Sequence, residues 1–126
     1  MFSDAQLTVI FGKTRGHCHF CGDALILAKY AVLDDSTGAW EIDHVIQKGK
    51  GGTKHISNCL PACIRCNRLR WHRTGDEMRD LLLCGLIARD EIKKGTEVGR
   101  VIADLKNNRL ETNRKRRRKI NKSEVK

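Results

Sequence analysis

The chain has 126 residues and a formal net charge of +10, with 40% hydrophobic and only 5% aromatic residues. This length supports one domain with a thin hydrophobic core rather than two domains. The longest apolar run, residues 81–88, is far shorter than the roughly 18 residues that indicate a membrane-spanning helix. The first residues lack the pattern of a secretory signal, so we expect a protein of the reducing cytoplasm with no membrane partner.

Most of the positive charge lies near the C-terminal end of the sequence. Residues 109–126 contain nine Lys and Arg against two Glu and therefore carry +7 of the +10. Such a segment is typical of contact with a phosphate backbone, because neutralised phosphates release their counterions. A solubilising tail or a nuclear-localisation sequence at residues 114–119 is the alternative interpretation.

The first half of the chain predicts short elements. Residues 4–13 are typical of a helix capped by Ser3, although the apolar run from Leu7 fits a strand equally well. Residues 26–33 and 39–45 flank a turn-forming cluster that ends in Gly38, which predicts a β-hairpin. Residues 47–55 contain three glycines and three lysines and predict a flexible basic loop, followed by a short strand at 56–61.

Three helices are predicted in the second half. The first covers about residues 63–73, the second runs from a capping box at Thr74 and Glu77 to about residue 92, and Thr96 caps the third. The last two carry apolar stripes that predict faces packed into the core: Met78, Leu81, Leu82, Gly85 and Leu86, then Val98, Val101, Ile102 and Leu105. Because this periodicity fades, we divide the chain into a domain at 1–106 and a basic, flexible tail at 107–126.

Four of the six cysteines form two Cys-x-x-Cys pairs, at Cys18, Cys21, Cys63 and Cys66. Four thiolates at this spacing are the ligand set of a closed structural Zn²⁺ site. Two disulfides or a redox pair are the alternatives, but a reducing compartment disfavours disulfides. His17 and His19 flank the first pair and are substitute ligands. Cys59 and Cys84 fit small buried residues.

Polar residues follow in a distinctive order between and after these pairs: Asp43, His44, Asn58 and Asn67, with Gly51 and Gly52 in the intervening loop. With the cysteines, this order resembles the HNH endonuclease family, also called the ββα-metal nucleases, over about residues 16–73. The resemblance implies an α+β fold with a small ββα-metal core on a four-cysteine zinc site, extended by C-terminal helices. Many members have His where this chain has Asn67, whose amide oxygen suits a hard cation such as Mg²⁺.

The resemblance also implies a function and a role for each motif residue. The protein would be a metal-dependent DNA endonuclease, bacterial or phage-encoded, that cuts double-stranded DNA and leaves 5′-phosphate and 3′-hydroxyl ends. His44 would be the general base that activates water, and Asn58 would hold the loop and His44 in place. Asp43 and Asn67 would bind the catalytic Mg²⁺ or Mn²⁺.

Several alternatives stay open. Adjacent side chains of a strand point to opposite faces, so the backbone must leave regular geometry if Asp43 and His44 act together, and Glu41 is a rival metal ligand. Phosphate contacts are predicted for basic residues of the loop, the following helix and the tail: Lys54, Arg68, Arg114, Arg116, Arg117 and Arg118. The alternative function is a non-catalytic, zinc-stabilised module that binds nucleic acid. The sequence indicates no oligomeric state.

Overall fold

A computed structural model describes residues 1–32, 37–71 and 73–124, with the side chains of residue 48 and residues 118–124 left aside. These ranges contain four helices and one two-stranded antiparallel sheet, which confirms the predicted α+β class. The helices are α1 (Asp4–Gly12), α2 (Ile64–Trp71), α3 (Gly75–Lys94) and α4 (Glu97–Glu124). The strands are β1 (Trp40–His44) and β2 (Cys59–Cys63).

The first segment is helical because its N-terminus is fully capped. The Ser3 hydroxyl accepts a hydrogen bond from the Gln6 backbone, and the Gln6 side chain accepts one from the Ser3 backbone. At the other end of α1, the buried Lys13 donates from Nζ to the carbonyls of Ile56 (2.5 Å) and Cys59 (3.3 Å). These two bonds hold α1 against the start of β2.

The predicted hairpin between residues 26–33 and 39–45 is wrong. Residues Leu27–Lys29 form a 3₁₀ turn, and the strand pairing of this segment with β1 is limited, among the described residues, to an isolated bridge from Tyr30 to Trp40. Residues 33–36 lie outside the described ranges. β1 pairs instead with β2, in a register that runs from Trp40 opposite Cys63 to His44 opposite Cys59. This pairing carries the second cysteine pair towards the first, a constraint that local turn signals do not contain.

The predicted strand at 56–61 is displaced towards the C-terminus. Residues Ile56–Asn58 form a 3₁₀ turn, and the His55 ring accepts a hydrogen bond from the Ser57 backbone at its start. The strand therefore begins only at Cys59. Helix α2 follows β2 without a loop and completes a strand–strand–helix unit.

The core lies between α1, the sheet and the first cysteine pair. Trp40 is completely buried and packs against the rings of Phe11 and Tyr30, at centroid distances of 5.5 and 4.9 Å. The other buried members of the cluster are small or aliphatic: Ile10, Cys18, Leu25, Cys59 and Ala62. Burial of Cys59 agrees with its prediction, and the core is thin, as the composition suggests.

The capping signals of the last two helices are confirmed. Thr74 accepts a hydrogen bond from the Glu77 backbone at the start of α3, and Thr96 accepts one from the Gly99 backbone at the start of α4. Between the helices, Gly95 adopts a left-handed conformation with φ of 69°. A Cβ on Gly99 would lie 2.1 Å from the Glu91 carbonyl oxygen, so the two backbones are in close contact there.

The predicted burial of these two helices is wrong. None of the described residues of α3 is buried, and Cys84 is exposed rather than buried. Members of both predicted stripes are about half exposed: Leu81, Leu82, Leu86, Val98, Val101 and Leu105. The helices pack mainly against each other, and a single neighbour cannot cover apolar side chains that extend around much of a helix.

The basic C-terminal part of α4 returns to the first cysteine pair. Asn113 is buried and donates from Nδ2 to the Phe20 carbonyl at 3.0 Å, and Arg117 donates to the His19 carbonyl at 3.2 Å. The helix passes residue 107 without a break, while the division into a domain and a tail stays a prediction.

Within the described ranges, no helix combines the length and apolar character needed to cross a membrane.

Candidate metal centre and active site

The two Cys-x-x-Cys pairs meet in space. One ligand atom from each of Cys18, Cys21, Cys63 and Cys66 lies within 4.8 Å of the others, and the sulfurs of Cys21 and Cys63 are 3.9 Å apart. Zinc–sulfur bonds of about 2.3 Å in a tetrahedron separate the sulfurs by about 3.8 Å. None of the six cysteines forms a disulfide. The tetrad is therefore compatible with a structural zinc ion.

The protonation of the tetrad shows why a cation fits it. Hydrogen bonds from the thiols of Cys63 and Cys66 lower the pKa of Cys18, and the same contact with Cys18 raises the pKa of Cys63 to about 11. Four sulfurs this close cannot all be thiolates unless a positive ion lies between them. The flanking histidines have other partners, since His17 contacts the Arg15 carbonyl and His19 contacts a carboxylate.

That carboxylate is Asp43, which is completely buried on β1. His19 Nε2 lies 2.8 Å from Asp43 Oδ2, Arg70 Nη1 lies 2.5 Å from the same oxygen, and Trp71 Nε1 donates to Oδ1 at 3.1 Å. Burial by itself would raise the pKa of Asp43. The hydrogen bonds from His19 and Trp71, with the charge of Arg70, outweigh burial and lower that pKa below its ordinary value.

Arg70 connects Asp43 to the loop after β1. Its second nitrogen donates to the Val45 carbonyl at 2.8 Å, and its guanidinium lies over the Trp71 ring at 4.3 Å and near the Phe20 ring at 5.7 Å. The guanidinium is thus fixed by a carboxylate, a carbonyl and two aromatic faces. Sequence reasoning missed this role, because the alternating arginines of α2 give no signal that singles out position 70.

Two buried polar atoms near the motif have no hydrogen-bond partner among the described residues: His44 Nε2 and Asn67 Oδ1. Asn67 is only 7% exposed, so its unpaired oxygen is costly unless a donor or a cation satisfies it. Asp43 accepts three hydrogen bonds of the about four that a carboxylate can accept. Asn67 therefore offers an unpaired acceptor to a divalent ion, whereas Asp43 would have to bind the ion in addition to its three present partners.

His44 opens onto a cavity of about 400 Å³. The cavity is also lined by the loop between the strands and by the end of α2: Ile46, Gly52, Thr53, Lys54 and Trp71. On the side of α1, the Phe2 ring lies 6.5 Å from the His44 ring. The pairing of β1 with β2 stays regular through Asp43 and His44, so the departure from strand geometry that joint action of these side chains requires is not observed. Trp71 contacts Asp43 through its indole nitrogen and also lines this cavity, so it connects the two sides of β1.

Asn58 fixes the loop that forms the cavity. Its Oδ1 accepts from the Ile46 backbone at 2.9 Å, and its Nδ2 donates to the carbonyls of Ile46 (3.1 Å) and Thr53 (2.8 Å). The loop is so tight that a Cβ on Gly52 would lie 1.7 Å from the Ile46 carbonyl oxygen. The two ends of the loop are therefore fixed relative to each other.

The other predicted site residues are more scattered. Lys54 lines the cavity, and Arg68 is exposed on α2. Burial raises the pKa of Tyr30, and the nearby Glu41 carboxylate raises it further. In α4, Arg114 pairs with Glu111 at 2.7 Å, whereas Arg116 and Arg117 donate to carbonyls beside the first cysteine pair. The side chain of Arg118 lies outside the described part of the structure.

Residues 18–73 match the family model for the HNH endonuclease. The match covers 56 of the 126 residues, and we call this segment the HNH domain. It contains the cysteine tetrad, both strands and α2, which together form a small ββα-metal fold. Comparison of the chain with curated proteins and with solved structures gave no match in either case. Since HNH domains are generally nucleases, this domain indicates a nuclease or nucleic-acid-binding role.

Proposed function

We propose that this protein is a metal-dependent DNA endonuclease that hydrolyses phosphodiester bonds and leaves 5′-phosphate and 3′-hydroxyl ends. The observation that carries the proposal is His44, which lines a cavity inside the HNH domain. An imidazole changes charge near neutral pH and can accept a proton from water.

The catalytic ion would be Mg²⁺ or Mn²⁺, held by Asp43 and Asn67 through carboxylate and amide oxygens. When bound, such an ion stabilises the charge that develops on the phosphate and on the leaving oxygen. Arg70, His19 and Trp71 orient Asp43 and keep it ionised. These three residues therefore act on the chemistry by positioning Asp43.

The loop between the strands would position the substrate. Lys54 lies on the same cavity as His44, where an ammonium group can bind a substrate phosphate. Asn58 acts as a positioning residue, because its three hydrogen bonds keep the loop closed against β1. Arg68 and the basic residues of α4 would extend the phosphate contacts beyond the cavity.

Duplex DNA is the substrate that the side chains favour. Recognition of single-stranded nucleic acid depends on several aromatic rings that stack on bases, but of the two tryptophans Trp40 is completely buried and Trp71 alone is partly exposed. Basic residues are abundant by contrast and suit a backbone of regularly spaced phosphates. We place this activity in a reducing compartment, such as the cytoplasm of a bacterium or a phage-infected cell, where the free tetrad can hold zinc.

Incubation of zinc-loaded protein with supercoiled plasmid tests the proposal. We expect nicking with Mg²⁺ or Mn²⁺, none after EDTA is added, and ends that a ligase can rejoin because they carry 5′-phosphate and 3′-hydroxyl groups. A duplex RNA of matched length is the substrate control. Tight binding to DNA without nicking under any of these ions would favour the alternative, a non-catalytic zinc-stabilised binding module.

A further inference from the structure

The middle of α3 exposes an apolar surface that the described part of the chain does not cover. Leu82, Leu83, Leu86 and Ile87 are between 53% and 59% exposed. The half-buried residues of this helix near α4, Ala88 and Ile92 among them, lie on roughly the opposite side at 3.6 residues per turn. The exposed face therefore points away from the neighbour that α3 has, and a soluble protein rarely leaves such a face open.

The same face carries a regular pattern of apolar and charged residues. Positions 76, 79, 83, 86, 90 and 93 follow the 3–4 spacing of a coiled-coil seam. In order, they are Asp76, Arg79, Leu83, Leu86, Asp90 and Lys93. Two leucines lie at the centre. On each side of them, one acidic residue is followed by one basic residue. We call this set the α3 seam.

The α3 seam is complementary to itself when two copies run antiparallel. A twofold axis at the middle of α3 places Leu83 opposite Leu86, Arg79 opposite Asp90 and Asp76 opposite Lys93. Every charged position then faces the opposite charge, and the leucines face each other. A parallel arrangement would instead place each charge opposite its own copy, which is unfavourable.

We propose that this protein forms a homodimer through the antiparallel pairing of two α3 helices along the α3 seam. Such an interface uses one patch of both copies, as a twofold symmetric contact requires. Leu82 and Ile87 flank the seam and would be covered with it, so eight half-exposed aliphatic side chains leave water. The inference does not depend on the proposed function, although a dimer would supply two HNH domains for the two strands of a duplex.

Sedimentation equilibrium of the full, zinc-loaded chain tests the proposal. The mass should rise towards twice 14.3 kDa with increasing concentration. Leu83→Glu should weaken dimerisation by about tenfold or more, as expected for the centre of an interface. The matched control is Val98→Glu on α4, where the original side chain has the same 59% exposure but lies outside the seam. This control should dimerise like the wild type.

Charge reversal determines the direction of the helices. Arg79→Asp and Asp90→Arg should each weaken the dimer, and the double variant should restore it, because the antiparallel pairing again joins opposite charges. Circular dichroism and zinc content show that each variant is folded. The proposal is overturned if the wild type stays monomeric, if Leu83→Glu dimerises like Val98→Glu, or if the double variant is no better than the single ones.

Discussion

The chain up to residue 71 buries Trp40 and Asp43 completely, whereas the twenty residues of α3 include none that is buried. In the first region, residues far apart in sequence meet at the cysteine tetrad and around the Asp43 carboxylate. In the second, α3 and α4 contact mainly each other. The first region therefore takes its geometry from contacts between distant residues, whereas the helices of the second follow local signals and leave apolar side chains exposed.

The C-terminal part of α4 joins the two regions. Asn113 and Arg117 bind backbone carbonyls beside the first cysteine pair, and a Cβ on Gly22 would lie 2.9 Å from Asn113 Oδ1. The basic helix is therefore packed against the first cysteine pair. Arg116 and Arg117 support the fold there, and the exposed Arg114 and Lys115 are residues that we propose to contact nucleic acid.

The largest expected effect is a loss of stability at the cysteine tetrad, in the first of the two regions. Cys66→Ser should lose zinc and unfold the HNH domain, because binding of a structural zinc contributes about 10–16 kcal/mol in small zinc modules. Zinc content and thermal melting measure the loss. Cys84→Ser is the matched control, since this exposed cysteine lies on α3 outside the tetrad, and it should keep its zinc and its melting temperature. A cooperative melt of metal-free Cys66→Ser close to the wild-type temperature would contradict the account.

A smaller effect is expected at Arg70. The variant Arg70→Gln removes a charged hydrogen bond from the buried Asp43 carboxylate and should lower the free energy of unfolding by about 1–3 kcal/mol. Arg114→Gln is the control, because its pair with Glu111 is about half exposed on both sides and contributes about 0–1 kcal/mol. Urea unfolding of both variants measures the difference. Equal stabilities would show that the environment of Asp43 is not maintained by Arg70.

The basic face of α4 should divide into structural and nucleic-acid-binding residues. Neutralising the exposed Arg114 and Lys115 with Gln should leave the melting temperature unchanged and flatten the slope of log affinity against log salt by about 0.9 for each lost phosphate contact. Neutralising Arg116 and Arg117, which bind carbonyls of the first region, should also lower the melting temperature. Identical melting temperatures and slopes for the two double variants would refute the division.

The smallest expected effect is on the stability of the protein at acidic pH. The pKa of Asp43 is lower in the folded protein than its ordinary value, which is about 3.9 in an unfolded chain. Its contribution to stability is therefore fully present above that value and is lost as the pH falls through the folded pKa. Asp43→Asn should remove this part of the acid sensitivity. Urea unfolding at several acidic pH values compares the two proteins, and parallel pH profiles would contradict the expectation.

The sequence predicts well whatever depends on a few neighbouring residues. The caps at Ser3, Thr74 and Thr96 and the cysteine tetrad belong to short patterns, and their structures follow from those patterns. The pairing of β1 with β2 could not be predicted from turn signals, because the paired residues are 15 to 23 positions apart along the chain.

The surroundings of Asp43 illustrate the same limit. Its partners His19, Arg70 and Trp71 are between 24 and 28 residues away along the chain. A single sequence does not indicate which of several histidines, arginines and tryptophans will reach it. The apolar stripe of α3 marked a face for packing but could not show that no other part of the described chain covers it.

Cleavage of supercoiled plasmid by His44→Ala, in the presence of Mg²⁺, tests the central claim most directly. Loss of a general base slows a reaction by about 10²–10⁴-fold, while zinc content and DNA affinity should match the wild type. His17→Gln is the control, since His17 contacts the Arg15 carbonyl and has no place in the mechanism, and it should cleave at the wild-type rate. The account predicts a slow, folded, DNA-binding His44→Ala protein, and wild-type cleavage by that variant would contradict it.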